Sequence, residues 1–286
     1  MLRQRAKAFD FLFDAVFVVD MNGTVIDWNL GAEKLYGWSR KEIVGQPITL
    51  LYLPQDFPCF KQDVMEAVLL QGHWAGEMRM RRKDGRRGYT ESAVVPLEDG
   101  NGKIIGVISI NRDITARIEA ERHLKYLAFN DPLTGIGNRE LALERLKHAM
   151  LQVPRRGTHV ALIFIDLDNF KQINDVFGHA AGDAVLREVA HRLRETLRAA
   201  DTVARLGGDE FLLIAEDLSG RPEAQEAIDR IALALARPHL LNGQDFNVEA
   251  SIGLALYPDD AGDAETLLRC ADEAMYRIKR TRKHSC

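Results

Sequence analysis

The first part of the chain alternates short apolar runs with polar turns. Ala15 to Asp20 reads as a strand, Met21-Asn22-Gly23 as a turn, and Thr24 to Trp28 as the returning partner. Short helices are expected over Gly31–Tyr36 and Ser39–Val44, and a longer one over Asp63–Leu70. Trp74–Arg82, Arg87–Pro96 and Lys103–Asn111 follow as three strands. The turns between them are Lys83-Asp84-Gly85 and Glu98-Asp99-Gly100-Asn101-Gly102. Asp113 to Asn130 holds no Gly or Pro and is rich in Glu, Arg, Ala and Leu, so it predicts a helix. Ile114, Ile118, Leu124 and Leu127 give that helix a partial apolar stripe, too short for sustained heptads.

Beyond residue 130 helices and strands alternate. Glu140–Leu151 is helical, and Val160–Asp166 is a buried strand. Gly182-Asp183 opens a helix whose stripe is Val185, Leu186, Val189, Leu193 and Leu197. Thr202–Ala204 and Phe211–Ile214 flank Gly207-Gly208 and predict a hairpin turning on the two glycines. Pro222–Ala236 is helical, Phe246–Tyr257 holds a strand, and Asp263–Lys279 forms a last helix. The fold class expected is α+β. Residues 1–113 form an antiparallel sheet with flanking helices, 114–130 a helical linker, and 131–286 a second sheet with helices on its faces.

The length of 286 residues suits two domains. Apolar runs such as Val160–Ile165 fall far below the ~18 residues of a membrane span. The basic Met1–Arg5 stretch meets Asp10 and Asp14, which argues against a signal peptide. Cys59, Cys270 and Cys286 have neither a disulfide nor a metal spacing, so a reducing cytoplasm is expected. The net charge of −4 weighs against DNA or RNA as a partner. Residues 1–113 carry fifteen basic and fifteen acidic side chains, so all of that charge lies in the second part.

Two acidic turns carry the candidate chemistry. One strand ends in Asp166-Leu167-Asp168 with Lys171 close behind, and the hairpin carries Asp209-Glu210. Alone, the first reads as a helix-capping loop and the second as a solvated hairpin. Together in one domain they suggest a hard cation held at a phosphate, since Mg²⁺ prefers oxygen ligands and shares them with phosphates.

Residues 131–286 resemble the GGDEF domains, the diguanylate cyclases. The matching landmarks are Asp131-Pro132-Leu133-Thr134-Gly135, Asp166 to Asp175, Phe177-Gly178-His179, Gly182-Asp183, Gly207-Gly208-Asp209-Glu210-Phe211, Ser251-Ile252-Gly253 and Ala271–Tyr276. The resemblance implies a palm-like, nucleotide-cyclase-like sheet that joins two GTP into cyclic di-GMP and two pyrophosphates. Two such domains then meet face to face, each with one GTP. It implies Mg²⁺ (or Mn²⁺) on Asp166, Asp209 and the Leu167 carbonyl. It places Asn174 and Asp183 on the guanine with His179 supporting, and Asn169, Phe170 and Lys171 near the phosphates. Gly207 and Gly208 become a backbone cradle, and Asp209 and Glu210 the pair that activates the 3′-hydroxyl. Lys279 and Lys283 match basic phosphate positions, although Arg282 stands where the family's turn has glycine. Arg198-Ala199-Ala200-Asp201 matches an inhibitory product site of RxxD form, with Arg230 a candidate second arginine. RxxD is also common at helix ends.

Residues 1–113 resemble a PAS sensor domain through Phe17–Gly23, Trp28-Asn29, Tyr36–Gly45, Lys83-Asp84-Gly85 and Asn111–Thr115. The resemblance implies a homodimer through this domain and the linker helix, with the PAS half regulating the cyclase. Its ligand stays open. The helix 63–70 lacks a histidine, with His73 beyond it, and Cys59 lacks the flavin-adduct motif. Trp28, Asn29, Trp38 and Trp74 line a cofactor pocket or are core or dimer-interface residues. The basic run Arg79–Arg87 reads as a solvated hairpin or an anion site. A non-catalytic receptor for cyclic di-GMP or GTP is the alternative function.

Overall fold

The computed structural model describes residues 9–241 and 244–283; side chains at 57–61, 239–241, 244–246 and 283 lie outside the description. Chain contacts divide it into two compact units, Met1–His123 and Leu124–Cys286.

The first unit is built on five strands: β1 (Ala15–Asp20), β2 (Val25–Trp28), β3 (Trp74–Arg81), β4 (Arg87–Glu98) and β5 (Ile104–Asp113). They form one antiparallel sheet in the order β2-β1-β5-β4-β3. Helices α1 (Leu30–Tyr36), α2 (Arg40–Ile43) and α3 (Phe57–Gln71) accompany it. The expected long helix begins earlier than Asp63, because a proline in its first turn costs no hydrogen bond.

Trp28 belongs to the core, its ring stacked on Phe17 with centroids 5.2 Å apart. Asn29 is fully buried and structural. Its Oδ1 accepts from Val16 N and Ala32 N, capping α1, while Nδ2 donates to Phe9 O and Asp14 O. Between sheet and α3 lies a cavity of about 70 Å³, lined by Phe17, Tyr52, Val64 and Val107 among others. Sites for drug-sized ligands run to ~300 Å³ or more, so this void is small beside a flavin or haem. In the basic hairpin Arg82 pairs with Asp113, Lys83 with Glu42 and Arg86 with Asp84. Those cations are already matched, as a solvated hairpin face requires. Helix α4 (Thr115–Phe129) follows β5. Residues 115–129 lie inside the expected helical segment.

The second unit has a four-stranded antiparallel sheet of β6 (His159–Leu167), β7 (Thr202–Gly207), β8 (Glu210–Leu218) and β11 (Ala250–Tyr257), in the order β11-β6-β8-β7. A small hairpin, β9 (His239–Leu241) with β10 (Gln244–Phe246), stands apart from it. The strand expected over Phe246–Tyr257 thus begins at Ala250. Five helices complete the unit: α5 (Arg139–Arg156), α6 (Phe170–Phe177), α7 (His179–Thr196), α8 (Arg221–Leu235) and α9 (Ala264–Lys283). Helix α5 runs past Leu151 and carries Pro154 in its last turn.

β6 is central and buried on both faces, hence its unbroken apolar run. Ile163, Ile165 and Leu167 pack toward α6, α7 and α8; Leu162 and Phe164 pack toward α5 and α9. The period-2 rule places Asp166 on the Leu162–Phe164 face, where α9 lies. Gly253 of β11 lets α9 approach closely: a Cβ there would meet Ala271 O at 2.2 Å.

Candidate active site

Three chain segments converge where β6 ends and the β7–β8 hairpin turns. Asp166 lies directly opposite Glu210 in the β6–β8 ladder, so both side chains share one face. The Leu167 amide donates to the Asp209 carbonyl at 3.2 Å, and the Leu167 side chain is buried.

The hairpin turns on Gly208 and Asp209, since Gly207 pairs with Glu210. This corrects the expected Gly-Gly turn by one residue. The first turn position needs positive φ, and Gly208 has φ 53°. Asp209 therefore stands at the tip itself, half-buried beside Glu210. Arg205 braces the tip from below. Its Nε and Nη2 donate to the Gly208 carbonyl at 3.0 and 2.7 Å, and Nη1 reaches both Asp131 carboxylate oxygens at 3.1 Å. Asp131 also accepts from the Thr134 amide and hydroxyl. The sequence alone gives neither Arg205 nor Asp131 a role, although Asp131 opens one of the family landmarks and Arg205 lies two residues before the glycine pair.

Burial, partly offset by Lys279, and the nearby Asp209 and Asp168 charges raise the Asp166 carboxyl above its ordinary value. Glu210 is raised too, by burial and by Asp166 and Asp209. Lys279 of α9 meets this cluster, its Nζ 2.5 Å from Asp166 Oδ1. Burial alone would lower the Lys279 ammonium; its bond to Asp166 and the acids around it hold it above the usual lysine value. The lysine expected at a phosphate thus sits on a carboxylate. Arg282, the departure from the family's turn, donates to Asp168 Oδ2 at 3.2 Å and to the Ala250 carbonyl at 3.0 Å. Ser251 of β11 donates to the same Asp168 at 2.9 Å. Asp168, Ser251 and Arg282 had no assigned function, and they fasten β11 and α9 to the end of β6. The Lys283 side chain lies outside the described residues.

After Asp168 the chain turns through Asn169 in the left-handed region, φ 59°, a conformation asparagine tolerates. Phe170 opens α6 with its ring in the core, so only its backbone faces the site. Lys171 is exposed, with no ion pair among the described residues. Asn174 of α6 packs on Gly182 of α7, where an added Cβ would stand 2.0 Å from its Oδ1. Asp183 follows, within 3.8 Å of Arg187. His179, exposed, begins α7. Among the described residues no three His, Cys, Asp or Glu converge to hold a metal unaided.

The RxxD segment is a closed turn. Asp201 Oδ2 accepts from the Arg198 amide at 2.9 Å and Oδ1 from the Glu216 amide at 3.2 Å. The Arg198 guanidinium pairs with Glu223 of α8 at 2.9 Å. Arg230, exposed, lies two turns further along the same helix.

The comparisons with known proteins agree with this architecture. Residues 128–285 match the family model for the diguanylate cyclase GGDEF domain, and residues 14–116 that of a PAS domain. An uncharacterized signaling protein of Caulobacter vibrioides is 36% identical over 269 residues, 92% of this chain and 32% of that protein. The probable diguanylate cyclase DgcE of Escherichia coli is 33% identical over 273 residues, 94% of this chain and 25% of that protein. The chain thus spans a third or less of either relative. The solved GGDEF domain of TpbB from Pseudomonas aeruginosa is 42% identical, with a TM-score of 0.52 over 53% of this chain and 89% of that one. No helix among the described residues is long and apolar enough to cross a membrane. With more than half its length matched by that model, the chain belongs to the GGDEF family of diguanylate cyclases and carries a PAS domain ahead of the GGDEF domain.

Proposed function

We propose that the chain condenses two GTP into cyclic di-GMP and two pyrophosphates, as a homodimer paired through the PAS domain and α4. The observation that carries this reading is the meeting of Asp166, Asp209 and Glu210 at one sheet end, beside the α6–α7 pair that presents Asn174 and Asp183. Asp166 and Asp209 with the Leu167 carbonyl form a partial set of hard oxygen donors. Such a set suits Mg²⁺ (or Mn²⁺), which fills its shell with water and substrate phosphates. Bound there, the ion would neutralise phosphate charge and favour a deprotonated 3′-hydroxyl.

The chain's own groups supply the rest. Asn174 offers an amide and Asp183 a carboxylate to a base edge bearing both acceptors and donors, as guanine does. His179, at the start of α7, supports that pocket. The exposed amides of Gly207 and Gly208, the backbone of Asn169 and Phe170 at the start of α6, and Lys171 face the triphosphate. Lys279, now on Asp166, is placed to exchange that partner for a phosphate, with Lys283 next along the helix. Asp209 or Glu210 takes the hydroxyl proton. Burial and neighbouring acids raise Glu210, which brings it nearer the range useful to a base.

Arg198 and Asp201, with Arg230, would bind product and slow the enzyme, and the PAS half would set how often two loaded domains meet. Incubation with GTP and Mg²⁺, followed by chromatography, tests the reading. Cyclic di-GMP should form and should vanish in Asp209→Ala. Tight product binding without synthesis would establish the receptor alternative instead.

A further inference from the structure

A polar hollow of about 290 Å³ lies along β7, where Gly137 rather than β8 flanks the strand. Its wall joins the loop Gly135-Ile136-Gly137, Arg145 of α5, Arg194 in the last turn of α7, and Asp201. Neither guanidinium has a hydrogen bond or ion pair among the described residues. Arg145 is felt by Glu216 only through space. Asp201 brings the one lining carboxylate among the described residues, and each of its oxygens already accepts a backbone amide. The hollow is therefore short of negative charge in a chain that is acidic overall.

Two arginine forks at one small cavity suit phosphate oxygens, which guanidinium groups bind in pairs. The volume falls just short of the ~300–1,000 Å³ of sites for drug-sized ligands. It suits a small anion better than a dinucleotide. Ala199, Ala200 and Asp201 of the RxxD turn also line the hollow, whereas the Arg198 guanidinium pairs with Glu223 on α8.

We infer that this hollow is a binding site for a small phosphate anion of the pyrophosphate class, held by Arg145 and Arg194. Its occupant would touch the brace of the catalytic hairpin. Gly137 bridges Ala204 of β7, its carbonyl accepts from the Arg205 amide at 2.8 Å, and its amide donates to the Val203 carbonyl at 3.2 Å. The inference stands apart from the cyclase reading, because anion binding needs neither metal nor GTP.

The test is a titration of the full, ¹⁵N-labelled chain with sodium pyrophosphate in metal-free buffer, with parallel titrations of inorganic phosphate and cyclic di-GMP. Gly135 and Gly137 amide signals and two arginine Nε–H signals should shift and saturate with pyrophosphate. The R145A/R194A double variant, with both changes at exposed positions, should fold and turn over GTP as before yet weaken the response at least tenfold. R145K/R194K should lie between, since lysine keeps the charge but not the fork. Saturation with phosphate at similar concentrations would assign the site to single phosphates within the same class. No response at millimolar pyrophosphate overturns the inference. So does an undiminished response in the double variant, or a response to cyclic di-GMP alone.

Discussion

Gly182→Ala separates the demands of the fold from those of the proposed guanine site. The new Cβ would stand 2.0 Å from Asn174 Oδ1 and 2.9 Å from its Cγ, with Phe170 Cζ at 3.1 Å. The first two atoms end a short side chain that can swing aside, and the ring needs to give only a few tenths of an ångström. An alanine inside a helix gains about 0.5–1 kcal/mol over glycine, so the melting temperature should hold or rise slightly. Asn174, turned away, loses its bonds to the base. Two neutral hydrogen bonds at about 0.5–1.5 kcal/mol each give about 1–3 kcal/mol. At 1.36 kcal/mol per decade that is roughly a five- to 150-fold rise in half-saturating GTP. Initial rates of pyrophosphate release against GTP measure it, with kcat expected to change little. Asn174→Ala should cause a similar rise, and the double variant should add almost nothing, because both changes remove one interaction. A Gly182→Ala protein with wild-type melting and wild-type GTP dependence refutes the argument, as does additivity in the double variant.

Asp131→Asn should destabilise the GGDEF half at neutral pH by about 1.5–3 kcal/mol, the scale of hydrogen bonds to a charged group. Burial works against the Asp131 carboxylate, but the Thr134 bonds and Arg205 hold its pKa below the ordinary value. Its stabilisation is thus complete above the usual aspartate value near ~3.9 and fades as pH falls through and below it. Melting curves of the two proteins should differ at pH 7, and the gap should narrow as pH falls below the usual aspartate value; a constant gap would exclude the charge as the cause. Glu223→Gln should free Arg198 and tighten product binding about two- to fivefold, the range of an exposed pair. Calorimetric titration with cyclic di-GMP reads this, and equal affinities would show that Glu223 does not compete. Chelation with EDTA should stop turnover and excess Mg²⁺ restore it; activity surviving exhaustive chelation would count against the oxygen-donor assignment.

The sequence made strand and helix order legible because the apolar periods were strong. β6 is the clearest case, with apolar side chains on both faces and one carboxylate at its end. Its motif residues could be ordered along the chain, but their partners could not. Nothing local says that Arg205 reaches back 74 positions to Asp131, or that Lys279 reaches 113 positions to Asp166. A Gly-Gly pair satisfies the sequence rule for a turn at either glycine, and only the ladder resolves the position, by pairing Gly207 with Glu210. The motif groups Phe170 with the phosphate residues, whereas helix periodicity puts its ring beside Ile173 in the core.

These long-range ties bear on how the site is held. The acidic end of β6 is a poor place for a folded chain, since burial and the Asp209 and Asp168 charges raise Asp166, and burial and the Asp166 and Asp209 charges raise Glu210. Their surroundings are correspondingly braced. Arg205 fixes the hairpin tip, Arg282 and Ser251 fix Asp168, and Gly253 lets α9 bring Lys279 within reach. Each brace joins the acidic end to an element outside the β6–β8 pair. Weakening one should therefore shift the carboxylates before it unfolds the sheet. The hollow at Gly135–Gly137 meets the Arg205 brace through backbone alone, so an anion there would act on the tip without touching a carboxylate.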